Sequence, residues 1–408
     1  MPAQMALATR SRSHPRLALA LAIVASLTIF FAIFAVWAKR QALDNSEWTK
    51  TSSELLQKKS IRNAVSTYLV DQLYANVDVA GQLRAELPPA AKPLAPTAAG
   101  ALRELALRAT NRALASPRFQ QAWENANKVA HQEFIDVVED KNSAALSTSG
   151  GNVVLNLQPL LLAIAQQVGL SGNRIKKLPP NAAELQIMRS NQLDAAQKLT
   201  KVVRGLAIAL PLVWLGLAIL AVWLGRGRRR ETIRALALGG LAAGIGALLL
   251  RGAGQNAVTG ALAKTAAVEP AVRDAWTVGT SLLTDVAQSV IVVALALLIV
   301  AWLAGNTRPA VAFRRVTAPY MRERPDLVYG AVAVIFLILI VWHPAHVLTR
   351  PLALLIIAVF MVIGTEALRR QIEREYPDAV MPPGGIREAI ASVRSPRGEP
   401  PRSEPGPK

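Results

Sequence analysis

The sequence predicts a mainly α, six-span transmembrane helical protein with an α+β extracytoplasmic domain inserted between spans 1 and 2. Three observations carry that prediction. The 408 residues have a positive mean hydropathy of +0.29 and contain apolar runs of spanning length. Residues 39–201 contain no such run and divide the first from the rest. Arginines gather at the ends of the runs rather than within them.

That placement also explains the formal charge of +19. Scattered over a polar surface, such a charge would suggest nucleic acid. Here it marks membrane topology, and no aromatic-basic module accompanies it, so no nucleic-acid partner is expected. The chain has no cysteine, which excludes disulfides, thiolate nucleophiles and cysteine metal sites.

Residues 1–16 carry Arg10, Arg12 and Arg16 with no acid and are predicted to be cytoplasmic. The apolar run 17–38 is too long for a secretory signal core and ends in Trp37, an interfacial residue. It is read as a transmembrane signal anchor; cleavage after Ala38 is the alternative. Within 39–201 most of the pattern is helical. Ser60 is placed as the cap of a helix bearing Ile61, Val65, Tyr68, Leu69, Gln72 and Leu73. Asp78 starts a short helix that Pro88-Pro89 stops, and a Pro/Ala-rich connector follows. Thr97 to Ala115 is helical, with Leu102, Leu105 and Ala109 on one side. Ser116-Pro117 opens a helix whose core stripe is read as Phe119, Trp123, Ala126, Ala130, Phe134 and Val137. Gly150-Gly151 between β-prone runs reads as a hairpin, with Ala183 to Met188 as a third strand. Pro159 to Val168 reads as an apolar helix, and residues 173–181 as a basic loop.

Residues 202–368 form a predicted five-span bundle, with runs at 202–225, 233–250, 286–304, 328–342 and 351–368. The loops 226–234 and 306–327 are rich in arginine, whereas the alternate connectors are not. By the positive-inside rule both termini face the cytoplasm and 39–201 lies outside, in a multi-pass plasma-membrane protein. Residues 257–268 are expected to lie along the outer face. Pro270 is expected to open one long helix continuing into the fourth span. Residues 369–408 form a cytoplasmic tail, expected to be disordered after about residue 379.

Candidate chemistry is sparse. His131 shares a helix face with Gln120, Glu124 and Asn127 and reads as part of a polar, partly exposed surface. His343 and His346 flank a turn without a third ligand, and His14 lies in the basic amino-terminal segment. No metal, no cofactor and no catalytic residue is assigned. Ser143, Ser147 and Ser149 have no histidine nearby, and Gly150-Gly151 lacks phosphate-loop context. Glu133, Asp136, Glu139 and Asp140 are the candidates for carboxylate-only chemistry, but read better as a solvated helix end. Arg204, Arg251, Asp285, Arg350 and Glu366 all fall near span ends, which argues against a proton relay or a charged-substrate path but leaves open a pore lined by carbonyls and hydroxyls. Gly240 and Gly244 allow close helix approach, within the bundle or in a homo-oligomer.

Particular residues carry a resemblance: Tyr68-Leu69-Val70-Asp71-Gln72-Leu73 with Asn76-Val77-Asp78-Val79, Leu87-Pro88-Pro89, Ala122-Trp123-Glu124-Asn125-Ala126-Asn127 with Ala130-His131, Leu155-Asn156-Leu157, and the arginines after the second span. Over most of residues 60–305 the chain resembles a family of uncharacterised actinobacterial integral membrane proteins. The resemblance implies a helical extracytoplasmic domain after the first span and carries no activity. It marks the Trp123–His131 helix as a recurring feature. The expected function is binding, sensing or scaffolding by the outer domain, with an envelope protein or polymer as partner; the alternative is a transporter or channel capped by that domain.

Overall fold

The computed structural model describes residues 15–139, 146–149, 152–156, 184–225, 228–342 and 351–377. It is mainly helical. Helix α1 (Pro15–Leu43) is followed by α2 (Asn45–Gln57), α3 (Lys59–Asn76), α4 (Val79–Glu86), a 3-10 helix (Pro89–Leu94), α5 (Ala95–Ala115) and α6 (Pro117–Val138). Three short strands, β1 (Leu146–Ser149), β2 (Asn152–Asn156) and β3 (Glu184–Arg189), pair antiparallel in the order β1-β2-β3. Leu146 faces Leu155 across the first pair, and Asn152 faces Arg189 across the second. Then come α7 (Ser190–Leu224), α8 (Arg229–Leu262), α9 (Glu269–Gly279), α10 (Ser281–Leu303), α11 (Arg308–Glu323), α12 (Pro325–Trp342) and α13 (Pro351–Glu375).

The chain divides into two compact units. One holds residues 31–212 and 246–284; the other holds 1–30, 213–245 and 285–408. The segment 39–201 therefore lies wholly in the first of these, together with 246–284.

In that first unit, helix starts follow local chemistry. The Asp44 carboxylate accepts from the Ser46 and Glu47 amides and caps α2. Asp78 caps α4 through the Gly81 amide at 2.8 Å, and Ser116 caps α6 through the Phe119 amide with Pro117 in the first turn. Ser60 is not a cap. Helix α3 begins one residue earlier without a side-chain cap, and the Ser60 hydroxyl donates instead to Asp274 on α9. The buried faces also differ from the apolar stripes. Tyr68 is 62% exposed and Leu69, Gln72 and Leu73 are exposed too, while Ser66 and Val70 are buried. On α5, Leu102 and Leu105 face outward and Ala95, Ala99 and Leu114 inward. On α6 the core positions are Ala122, His131, Ile135 and Val138, offset from the expected stripe. Small and polar residues allow close helix approach, so they occupy the contacts that larger side chains would hold apart.

Among the described residues, four helices are long and apolar enough to cross a membrane: Arg16–Leu43, Gln192–Leu224, Arg229–Leu262 and Ser281–Leu303. The run 328–342 lies in a shorter apolar helix and 351–368 within α13. The third run continues as helix to Leu262, so residues 257–262 are its last turns. The long helix expected after Pro270 is two helices, α9 and α10, which break at Thr280 (φ −108°, ψ 12°) beside Gly279. The stretch 306–327, expected as a loop, contains α11, opened by Pro309. The apolar segment 159–168, the loop 173–181 and residues 378–408 lie outside the described residues, while residues 369–375 of the expected tail are the last turns of α13.

The second unit buries small residues and exposes large apolar ones. On α1, Ala18, Ala22 and Ala25 are buried while Leu17, Leu19, Ile23, Val24 and Leu27 face out. On α10, Ala287, Ala294 and Ala301 are buried while Val293, Leu295, Ile299 and Val300 face out. Ala22 and Ala25 pack with Ala221 of α7 and Leu236 of α8. Gly239 faces Ser26 so closely that a Cβ would overlap the hydroxyl. Gly240 and Gly244 face α10 within the same chain. Farther along, the fully buried Arg314 of α11 donates to the carbonyls of Leu303 (2.5 Å) and Gly305 (2.6 Å) and pairs with Glu375 (2.8 Å). It caps the carboxy end of α10 with a side chain held by α13.

The two interfacial glycines differ in the room around them. A Cβ at Gly240 would sit 3.5 Å from that of Ala294, an ordinary contact, whereas at Gly244 it would lie 3.0 Å from the Ala287 carbonyl, which is backbone. Gly240→Ala should therefore leave thermal stability equal or higher, because alanine favours helix by about 1 kcal/mol. Gly244→Ala should cost about 1–3 kcal/mol through overpacking. Melting of the two purified variants in nanodiscs checks the contrast.

Candidate functional site

The arrangement most capable of chemistry lies where α2 and α6 run antiparallel. Asn45 at the start of α2 reaches His131 and Gln132 near the end of α6, and Ser52, two turns on, reaches Trp123. The sequence positions both helices by strong starts: Asp44 with Glu47 three residues later on one, Ser116-Pro117 on the other. The Glu47 carboxylate is held by Arg40 of α1.

His131 is not on an exposed polar face. Only 6% of it is accessible. Its ring stacks on Trp48 with centroids 4.7 Å apart and planes inclined by 6°, and Phe134 approaches from a second side at 6.3 Å. Its Nε2 lies 3.2 Å from the Ala42 carbonyl, and its Nδ1 lies 3.2 Å from Asn45 Oδ1. A carbonyl only accepts, so Nε2 carries a proton. The remaining contacts form a directed chain. The Asp136 carboxylate accepts from Gln132 Nε2 (3.0 Å), and Gln132 Oε1 accepts from Asn45 Nδ2 (3.2 Å). Asn45 then presents its oxygen to His131 Nδ1, an arrangement that serves the protonated ring.

Burial opposes that charge. It pulls the imidazole below its ordinary value against the raising effects of the Ala42 carbonyl and the Asp44 charge. For Asp44 itself, burial pushes the carboxyl up. The Ser46 hydroxyl, the Glu47 and Ser46 amides and the charge of Lys39 together hold it below its ordinary value.

One end of the same helix pair opens into a cleft of about 190 Å³. Its polar wall comprises Ser53, Gln57, Gln120, Gln121 and Glu124, and its aromatic wall is Trp123. The indole N–H of Trp123 donates to the Ser52 carbonyl and hydroxyl at 3.3 and 3.0 Å, which fixes the ring while leaving it 39% exposed.

The other candidates separate from this place. Glu139 pairs with Arg204 of α7, Asp136 accepts from Gln132, and Glu133 is also engaged, so the acidic end of α6 is consumed by local contacts. Among the described residues no three His, Asp or Glu groups come together as a metal set. Ser147 and Ser149 lie on β1. His14, Asp140, Ser143, Gly150-Gly151, His343 and His346 lie outside the described residues. Asn45, Trp48, Ser52, Ser53, Gln57 and Gln121 belong to the site without having been singled out in sequence. The Asp44-to-Glu47 capping pattern was the signal that α2 is a positioned helix.

The His131 and Asp44 shifts act in different pH windows. A histidine whose folded value is depressed binds fewer protons folded than unfolded. Stability should therefore fall as pH drops below about 6.5, the ordinary histidine value, and level off below the folded value. Asp44 acts only in the more acidic carboxylate range, where its protonation removes stability. Replacing His131 with Gln should flatten the upper slope and leave the acidic one. Melting temperature against pH for the full-length variant and parent checks this.

No family model matches the chain, and no curated protein or solved structure matches it either.

Proposed function

We propose that this chain is a six-span plasma-membrane protein whose outer α+β domain binds an envelope protein or polymer. The observation that carries the membrane part is the inversion of residue size on the long helices. Large aliphatic side chains face outward on α1, α7 and α10, while alanines fill the contacts between helices. In water that surface would be costly; in hydrocarbon, helices associate by close packing of small residues. The shorter helix α12 and the apolar part of α13 supply the fifth and sixth crossings of this reading. The arginines of 226–234 and of α11 then mark the cytoplasmic side.

The binding part is supported by the cleft between α2 and α6. The exposed Trp123 and its amide-bearing neighbours suit reversible recognition better than bond cleavage.

The parent has no cysteine, so single substitutions report without background. Lys128→Cys should react with a membrane-impermeant maleimide on intact cells, and Arg315→Cys only after permeabilisation. The reverse pattern overturns the orientation. A photo-reactive residue at Gln120 should capture one reproducible envelope protein or polymer; equal, nonselective capture overturns the binding reading.

A further inference from the structure

The cleft between α2 and α6 has a chemistry more specific than binding in general, and the inference from it rests on the reading of this domain as a binding module. Its lining contains no lysine, arginine or histidine, so nothing in it selects a phosphate or a carboxylate. It contains one carboxylate, Glu124, which falls short of the six to eight oxygen ligands that a hard cation such as calcium collects. It is too polar for a purely apolar guest: only Leu56, Pro117 and the Trp123 ring are apolar. Three glutamine amides, a hydroxyl and a carboxylate remain, set around an aromatic plate. Each amide offers a donor and an acceptor a short distance apart, which matches neighbouring hydroxyls that also donate and accept.

Two details show a site prepared in advance. The Trp123 indole is oriented by its own hydrogen bonds to Ser52, so its exposed face needs no ordering when a ligand arrives. The Ser53 Oγ is buried and has no hydrogen-bond partner among the described residues. A buried hydroxyl without a partner is a standing cost; Ser53 lines the cleft, and a turn of its side chain toward a bound hydroxyl would end that cost.

We infer that this cleft is a subsite for a neutral, polyhydroxylated ligand, one pyranose ring of a saccharide chain. The C–H face of the ring lies on Trp123, and its hydroxyls meet Gln57, Gln120, Gln121 and Ser53.

The test uses the full-length protein in nanodiscs, first on a printed array of neutral glycans and then by saturation-transfer NMR with the disaccharide that binds best. Trp123→Ala should abolish binding. Because that change also removes the Ser52 contacts, Ser53→Ala is the sharper variant. It deletes an unpartnered buried group, so its melting temperature should equal or exceed the parent's while its saccharide affinity falls about fivefold, the size of one lost hydrogen bond. Gln121→Ala should weaken binding similarly. No array signal, or unchanged affinity in both Ser53→Ala and Gln121→Ala, overturns the proposal. If photo-capture at Gln120 then yields a protein, the saccharide class fails and the binding reading stands. If capture also yields nothing, both fail.

Discussion

The unit that holds residues 31–212 depends on the contact between α2 and α6. Helix α2 buries Thr49, Thr51, Ser52 and Leu56, a face with little apolar area of its own. Such a helix gains stability by approaching its neighbour closely and by satisfying its hydroxyls. Thr49 does so within its own helix, Thr51 accepts from Gln41 of α1, and Ser52 accepts from Trp123. The His131 ring, buried against one face of Trp48, supplies apolar contact that these small residues lack. The cleft and the histidine network are consequences of one pairing, at opposite ends of it.

The other unit solves a different problem by a different rule. Its inner surfaces are mostly alanine, with glycine at the closest approaches, and its outer ones leucine, isoleucine and valine. On the membrane reading proposed above, no strong apolar preference separates inside from outside, so geometry decides. Wherever backbone must come close, as at Gly239 and Gly244, the side chain is absent. The largest exception is Arg314. A guanidinium with almost no exposure is tolerable because two carbonyls and a carboxylate meet it. It ties the end of α10 to α13 with directional bonds where packing alone offers few.

What could be read from the sequence was what is decided locally. Asp78 and Ser116-Pro117 start helices because a side chain two or three residues from an amide suffices to cap it. The long apolar runs are helical because their length and composition allow little else. What could not be read was decided by distant partners. His131 sits on a polar-looking face, yet the ring and carbonyl that bury it come from Trp48 and Ala42. Tyr68, Leu69 and Leu73 recur at helical spacing and still face outward, because the contacts of α3 are made by Ser66 and Val70. The break at Thr280 has no proline to announce it. Helix α11 was obscured by its arginines, one of which is the largest fully buried side chain among the described residues.

The contact between Ser26 and Gly239 also bears on how the chain is made. Helix α1 leaves the ribosome long before α8 exists, so during that interval Ser26 stands on a lone apolar helix without its eventual neighbour. A hydroxyl in hydrocarbon needs a partner, and Ser26 carries one with it: its Oγ donates to the Ala22 carbonyl of its own helix at 2.7 Å. Thr28 does the same with Val24 at 2.8 Å. On the membrane reading proposed above, both hydroxyls of the first helix's apolar run are thus satisfied within that helix and need no partner from elsewhere in a bilayer. When Gly239 arrives it asks for space rather than for a hydrogen bond, so docking disturbs nothing already formed.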